Sequence, residues 1–264
     1  MTTYTHSITG SPQKPKRSKA SIALLVVVAV LVALVAAGVG GEFYLRHKVT
    51  SCLSDSLSEQ MGGPVDVGLS PKPMLLTMLD KKIPYITVDS KDATFGQPGG
   101  PQLKNMQVQS RFDDVRLPQG SGQDGSIASS TATVTWPTSA IQQSLQTLPF
   151  GGLITGIDTT GADGSMQLQF VGGLGSITLQ PQIQNDRVVV NTLGAQAFGI
   201  GLPTDAVAQV VDLMTGSMAG YPMGLTPTAV KVSDAGIQIG LTGGHTTLQP
   251  ASGTQSGQSG CSLA

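Results

Sequence analysis

Few residues in this chain are equipped for chemistry. Its 264 residues include three His and two Cys. Cys52 and Cys261 form an even pair far apart in sequence. In an oxidising compartment such a pair is most simply one disulfide; in a reducing one it is two thiols. A metal site needs more ligands than His47 and His245 offer, since neither sits in an H-x-x-x-H or C-x-x-C frame. Asp113-Asp114 is an adjacent carboxylate pair. Neighbours on a strand point to opposite faces and cannot share acid–base work. Gly172-Gly173-Leu174-Gly175 is glycine-rich, but Ser176-Ile177-Thr178-Leu179 follows as a strand, so a hairpin or bulge explains those glycines better than a phosphate cradle. G-x-S-x-G, Walker A and helix-opening G-x-G-x-x-G motifs are absent. The sequence therefore nominates no catalytic residue, metal or cofactor, and the chain reads as non-catalytic.

Composition narrows the class. Charged residues make up 12% and aromatics 4%, while 34 Gly and 16 Pro outnumber the charges. No G-X-Y period makes it collagen-like, and 39% hydrophobic residues with a net charge of −1 argue against wholesale disorder. A pI of 6.3 leaves no basic excess to neutralise phosphates, so nucleic acid is not an expected partner.

The charge is unevenly placed. Lys14, Lys16, Arg17 and Lys19 precede an uncharged run of 18 residues, Ile22–Val39. As a helix that run spans about 27 Å, close to the ~30 Å hydrocarbon core of a bilayer. The cations before it put the N-terminus in the cytoplasm by the positive-inside rule and the rest outside. From Glu42 onward eleven bases face sixteen acids, a net charge of −5. The run exceeds the usual signal-peptide core, which favours an uncleaved anchor, with Val35-Ala36-Ala37 as the alternative cleavage site. Val49-Thr50-Ser51-Cys52 mimics a lipobox but lies too far beyond the apolar run. With the domain exported, the disulfide is the expected state of Cys52 and Cys261.

The expected organisation is a basic disordered tail (1–20), a transmembrane anchor (21–41), an exported domain (42–242) and a Gly/Ser-rich tail (243–264). Gly38, Gly40 and Gly41 are expected to loosen the membrane exit. A helix fits Glu42–Met61 from its three- and four-residue spacing, stopped by Gly62-Gly63-Pro64. The period then changes to two. Strands are expected at Val65–Leu69, Tyr85–Phe95, Leu103–Leu117 with a bulge at Asp113-Asp114, and Ser126–Trp136. Met74–Leu79 reads as a helical turn or two. Pro137-Thr138 opens a helix with Ile141, Leu145 and Leu148 on one stripe. Hairpins follow about Asp163-Gly164, Asn185-Asp186 and Asp234-Ala235-Gly236, with a third helix from Pro203 carrying Val207 and Met214 inward. Strands and helices do not alternate regularly, so the class is α+β with an antiparallel sheet, one face covered by helices. Scarce aromatics and many Met describe an adaptable apolar interior. A curved sheet around an elongated apolar cavity would accept acyl chains; a solid core filled by the same residues is the simpler account of composition alone.

Several segments carry a resemblance. Gly62-Gly63-Pro64-Val65-Asp66-Val67, Pro71-Lys72-Pro73-Met74-Leu75-Leu76, Ile83-Pro84-Tyr85-Ile86-Thr87-Val88, Ala93-Thr94-Phe95, Asp114-Val115-Arg116-Leu117 and Val134-Thr135-Trp136-Pro137 occur in an order that resembles the LmeA family of actinobacterial cell-envelope phospholipid-binding proteins. The resemblance covers roughly residues 42–242. It implies a periplasmic or envelope protein that binds phospholipid at the membrane and supports lipoglycan assembly. It also implies an elongated fold similar to tubular lipid-binding proteins, with helices and a curved sheet around an apolar tunnel. On that expectation the lining candidates are Met74, Leu75, Ile86, Val88, Met106, Val108, Val134, Leu168, Val207 and Met214. The rival is an envelope scaffold or protein-interaction module with a solid core and no ligand.

Overall fold

A computed structural model describes residues 19–96, 102–118, 124–147, 151–159, 164–197, 208, 211, 221 and 224–248. The chain divides into two compact units, Met1–Tyr44 and Leu45–Ala264. In the first, the apolar run is helical and its side chains from Val28 to Val39 are largely exposed. It belongs to the one helix, among the described residues, long and apolar enough to cross a membrane.

That helix, α1, runs Lys19–Met61. Gly38, Gly40 and Gly41 were expected to loosen the chain, yet they lie inside the helix. Each glycine costs only about 1 kcal/mol relative to Ala, which flanking helix-formers on both sides outweigh. The helix stops where expected. Gly62 turns to φ +65, and the Gly63 amide donates back to the Ser58 carbonyl at 3.2 Å.

Two antiparallel sheets make up the rest, not the single sheet expected. The larger contains β1 (Val65–Leu69), β2 (Lys82–Gly96), β3 (Gln102–Arg116), β4 (Gly125–Ile127), β5 (Ser129–Pro137), β10 (Thr226–Ser233), β11 (Gly236–Gly243) and β12 (Thr246–Leu248). Its main order is β1-β2-β3-β5-β11-β10, with β4 bridging β3 and β12. The smaller runs β6 (Ile154–Asp158), β7 (Met166–Phe170), β8 (Gly175–Gln184) and β9 (Arg187–Ala197) in sequence order. The split occurs at α3 (Thr138–Gln146), which carries the chain off β5. The place beside β5 is then taken by β11, in register from Gly236↔Pro137 to Gly243↔Ser130. Gly236 fits there because at φ +124 a Cβ would lie 2.1 Å from the Trp136 carbonyl oxygen.

Local turn chemistry accounts for the hairpins. Asn185 and Asp186 both take positive φ, as a type I′ turn between β8 and β9 requires. Gly172 and Gly173, also at positive φ, turn β7 into β8. The bulge expected at Asp113-Asp114 is not a register shift: Tyr85↔Asp113 and Ile83↔Val115 stay in step. Asp114 alone takes a left-handed φ of 47. The register shifts between β2 and β3 lie at Ser90–Ala93 and Ala93–Phe95, the latter opposite Asn105 at φ +56. The tail expected to be loose from Gly243 contributes β12, whose two threonines suit a strand.

β1 is an edge strand, and α1 covers its polar groups. Ser54 donates its hydroxyl to the Val65 carbonyl, and the Val65 amide donates to Ser58 Oγ at 3.0 Å. The Arg46 guanidinium donates to the carbonyls of Leu69 (3.2 Å), Ser70 (2.7 Å) and Lys72 (3.2 Å). These bonds satisfy groups that an open sheet edge leaves to solvent or to another chain. Residues 1–18, Leu148 and the tail beyond Leu248 lie outside the described residues, as does most of the helix expected from Pro203, of which residues 208 and 211 are helical and Val211 packs against the main apolar cluster.

Arg46→Ala removes the charged donor from three carbonyls. Chemical denaturation of the full chain is expected to show a loss of about 1.5–3 kcal/mol, with His47→Ala, an exposed neighbour, changing little.

Candidate functional site

Period-two alternation builds one apolar layer between the sheets. On β3 Met106 and Val108 are buried while Gln107 and Gln109 face out. On β7 Met166, Leu168 and Phe170 are buried and Gln169 is exposed. Ile177 and Leu179 of β8, Val188 and Val190 of β9, and Ile237, Ile239 and Leu241 of β11 join the same cluster. So do Ala132 and Trp136 of β5. The α3 stripe closes one side through Ala140, Ile141 and Leu145, as its three- and four-residue spacing predicts. A second, small cluster gathers Ile83, Val115 and Ile127.

The predicted lining residues divide accordingly. Met106, Val108 and Leu168 lie in the main cluster at 3%, 6% and 0% exposure, and Val134 packs against it. Ile86 packs on the small cluster instead. Met74 and Val88 are buried outside both. Leu75 is 49% exposed on α2 (Met74–Asp80) and lines no interior. The helical face of α2 explains this, since Met74 and Thr77 take its buried side. Val207 and Met214 lie outside the described residues, as does Cys261; Cys52 is half-buried on α1.

No charged side chain is buried among the described residues, where every buried polar side chain is Ser or Thr. Three polar atoms of the interior lack a hydrogen-bond partner: Trp136 Nε1, Ser144 Oγ and Tyr221 Oη. Each such group forgoes water without compensation, a penalty of about 1–3 kcal/mol. Burial pushes the Tyr221 hydroxyl up to about 12. Two of these were within reach of the sequence. Trp136 ends the inward alternation Ala132, Val134, Trp136, and Ser144 falls on the Ile141–Leu145 stripe.

Two hollows among the described residues open at the surface beside this layer, the smaller reaching Ala132 of the main cluster and the larger Val230 and Val232, which pack against it. One, about 390 Å³, is lined by Thr135, Val230, Val232 and Gln238 among others. The other, about 230 Å³, is lined by polar groups including Thr87, Asp89, Arg111 and Thr133. Neither is lined by a predicted residue. No cluster of three or more His, Cys, Asp or Glu able to hold a metal occurs among the described residues.

These features define a membrane-associated α+β domain whose interior is apolar and uncharged among the described residues. Residues 36–242 match the LmeA-like phospholipid-binding family, and the chain belongs to it. It is 26% identical over 203 residues to uncharacterized proteins of Mycobacterium bovis and of two strains of Mycobacterium tuberculosis, covering 75% of this chain and 57% of each relative. The chain thus spans little more than half the length of these curated relatives. No solved structure matches it significantly.

The orphaned Tyr221 hydroxyl yields a pH prediction. With its folded pKa near 12, it stays neutral where an unfolded tyrosine ionises, at about 10. Stability supplied by the neutral form is whole below pH ~10 and is lost as pH rises towards 12. Melting followed from pH 9 upward is expected to fall less steeply in Tyr221→Phe than in the parent. At neutral pH Tyr221→Phe is expected to melt at or above the parent, since it removes a buried hydroxyl that has no hydrogen-bond partner.

Proposed function

We propose that this chain is a non-catalytic, membrane-tethered phospholipid-binding protein of the cell envelope. It holds or shuttles lipid in support of envelope lipid or lipoglycan assembly. The observation that carries this is the shared layer between the two sheets, apolar, uncharged and holding orphaned hydrogen-bonding atoms. Acyl chains need an uncharged lining. An ester carbonyl would accept a hydrogen bond from Trp136 Nε1, a donor-only group that the protein leaves unpaired. Family membership points to the same ligand class.

The tether follows from the apolar run of α1. Four cations ahead of that run support a cytoplasmic N-terminus with the acidic domain outside. In that oxidising setting Cys52 and Cys261 pair, closing a loop over nearly the whole domain. Such a bridge stabilises by roughly 2–5 kcal/mol. Non-reducing peptide mapping is expected to recover the two cysteines in one cross-linked peptide; both thiols alkylated without reduction would remove the bridge.

One observation favours the scaffold reading: the inward residues form a continuous packed cluster. Tryptophan substitutions separate the two. If acyl chains lie in the layer, Val108→Trp and Leu168→Trp are expected to cut phospholipid binding by the full chain while melting stays close to the parent. A solid core would instead be overpacked, losing about 1–3 kcal/mol, with no lipid effect. Gln109→Trp and Gln169→Trp, on the opposite face, serve as controls. If all four bind phospholipid like the parent, the interior is not the lipid site.

A further inference from the structure

The α2 helix is built in a way that core packing does not explain. It has seven residues, and only Met74 and Thr77 are buried. Leu76, Met78 and Leu79 are exposed at 51%, 43% and 82%, beside Leu75 at 49%. A soluble loop has no reason to hold four large apolar side chains in water together. The knob is also held firmly. The Lys81 amide, in a left-handed cap at φ 55, donates to the Thr77 carbonyl at 2.8 Å. Lys72 bridges the two ends, donating to the Asp80 carboxylate and to the Lys82 carbonyl. The Asp80 carboxylate accepts the Lys82 amide in turn, and these bonds hold its pKa below the usual carboxylate value.

The surroundings of α2 are basic. Residues 72–82 hold Lys72, Lys81 and Lys82 against one acid, Asp80, in a domain that is otherwise acidic. Arg116 pairs in register with Lys82 on the adjoining strand and is ion-paired with Asp114, as Lys72 is with Asp80, so Lys81 and Lys82 supply the positive charge beside the tip. An apolar tip rimmed by cations matches one occupant, the anionic face of a phospholipid bilayer. The leucines and methionine enter the acyl boundary and Lys81 and Lys82 meet headgroup phosphates. A second copy of this acidic chain offers no such complement.

We propose that α2 is a membrane-docking element, which seats the exported domain on an anionic leaflet independently of the transmembrane tether and of any lipid held inside. The test uses the full chain reconstituted in phosphatidylcholine vesicles, with or without phosphatidylglycerol. A phosphatidylcholine carrying an acyl-chain diazirine serves as the probe, and adducts are mapped by peptide mass spectrometry. The peptide containing residues 74–80 is expected to be labelled, more in the anionic vesicles and less at high salt. Met78→Glu with Leu79→Glu is expected to cut that labelling about tenfold or more, without lowering the melting temperature. A membrane-spanning segment that is labelled while α2 is not overturns the proposal. So does a detergent-solubilised dimer that Leu79→Glu converts to monomer, which would show a second copy covering the helix. Phospholipid co-extracted from the detergent-purified protein reports on the interior alone, so the failure of one idea leaves the other readable.

Discussion

The domain depends on a single layer of apolar side chains that two antiparallel sheets share. Neither sheet stands without it. The small sheet has four strands, and its buried Ile, Leu, Val, Met and Phe side chains, from Ile154 to Val190, all belong to the cluster that also holds Val108, Trp136 and Ile239 of the large sheet. Period two enforces the arrangement, because a one-residue slip in β3 or β7 would exchange Val108 and Leu168 for Gln109 and Gln169. The same constraint accounts for the chemistry. A layer this apolar cannot hold an unpaired charge, so its polar content is confined to hydroxyls and one indole. An interior of that kind suits the solvation of hydrocarbon and does not suit acid–base or metal work.

The edges are handled by different means. At one end of the large sheet, β1 has its free groups taken by Arg46, Ser54 and Ser58 of α1. At the other end, β10 approaches β8 and β9 of the small sheet. Between β1 and β2 the chain projects α2, where apolar residues are spent on the surface. Side chains in the core and at α2 are alike in type; what separates them is the pattern of helix faces and the lysines about the tip.

Local features were legible in the sequence because local chemistry determines them. Asn185-Asp186 marks its turn through positive φ, Pro137-Thr138 opens α3, and Gly62 ends α1. The inward set on β3 and β7 followed from alternation alone. Long-range choices were not legible. Nothing near Trp136 says that its strand pairs with Ile237, a hundred residues on, and leaves Ile154 to start a separate sheet. The three glycines inside α1 and the outward face of Leu75 escaped for a related reason. Propensity and apolar character are weak priors, which neighbouring helix-formers and an adjacent buried face override. The family resemblance, carried by short ordered segments such as Ile83–Val88 and Val134–Pro137, supplied the ligand class that periodicity could not.

Whether the interior takes phospholipid is decided by quantitative mass spectrometry of organic extracts from the full chain purified in mild detergent. Phospholipid is expected to remain through extensive detergent exchange at a fixed molar ratio to protein. Protein that emerges free of lipid, and takes up none when offered phospholipid micelles, would contradict a lipid-binding interior.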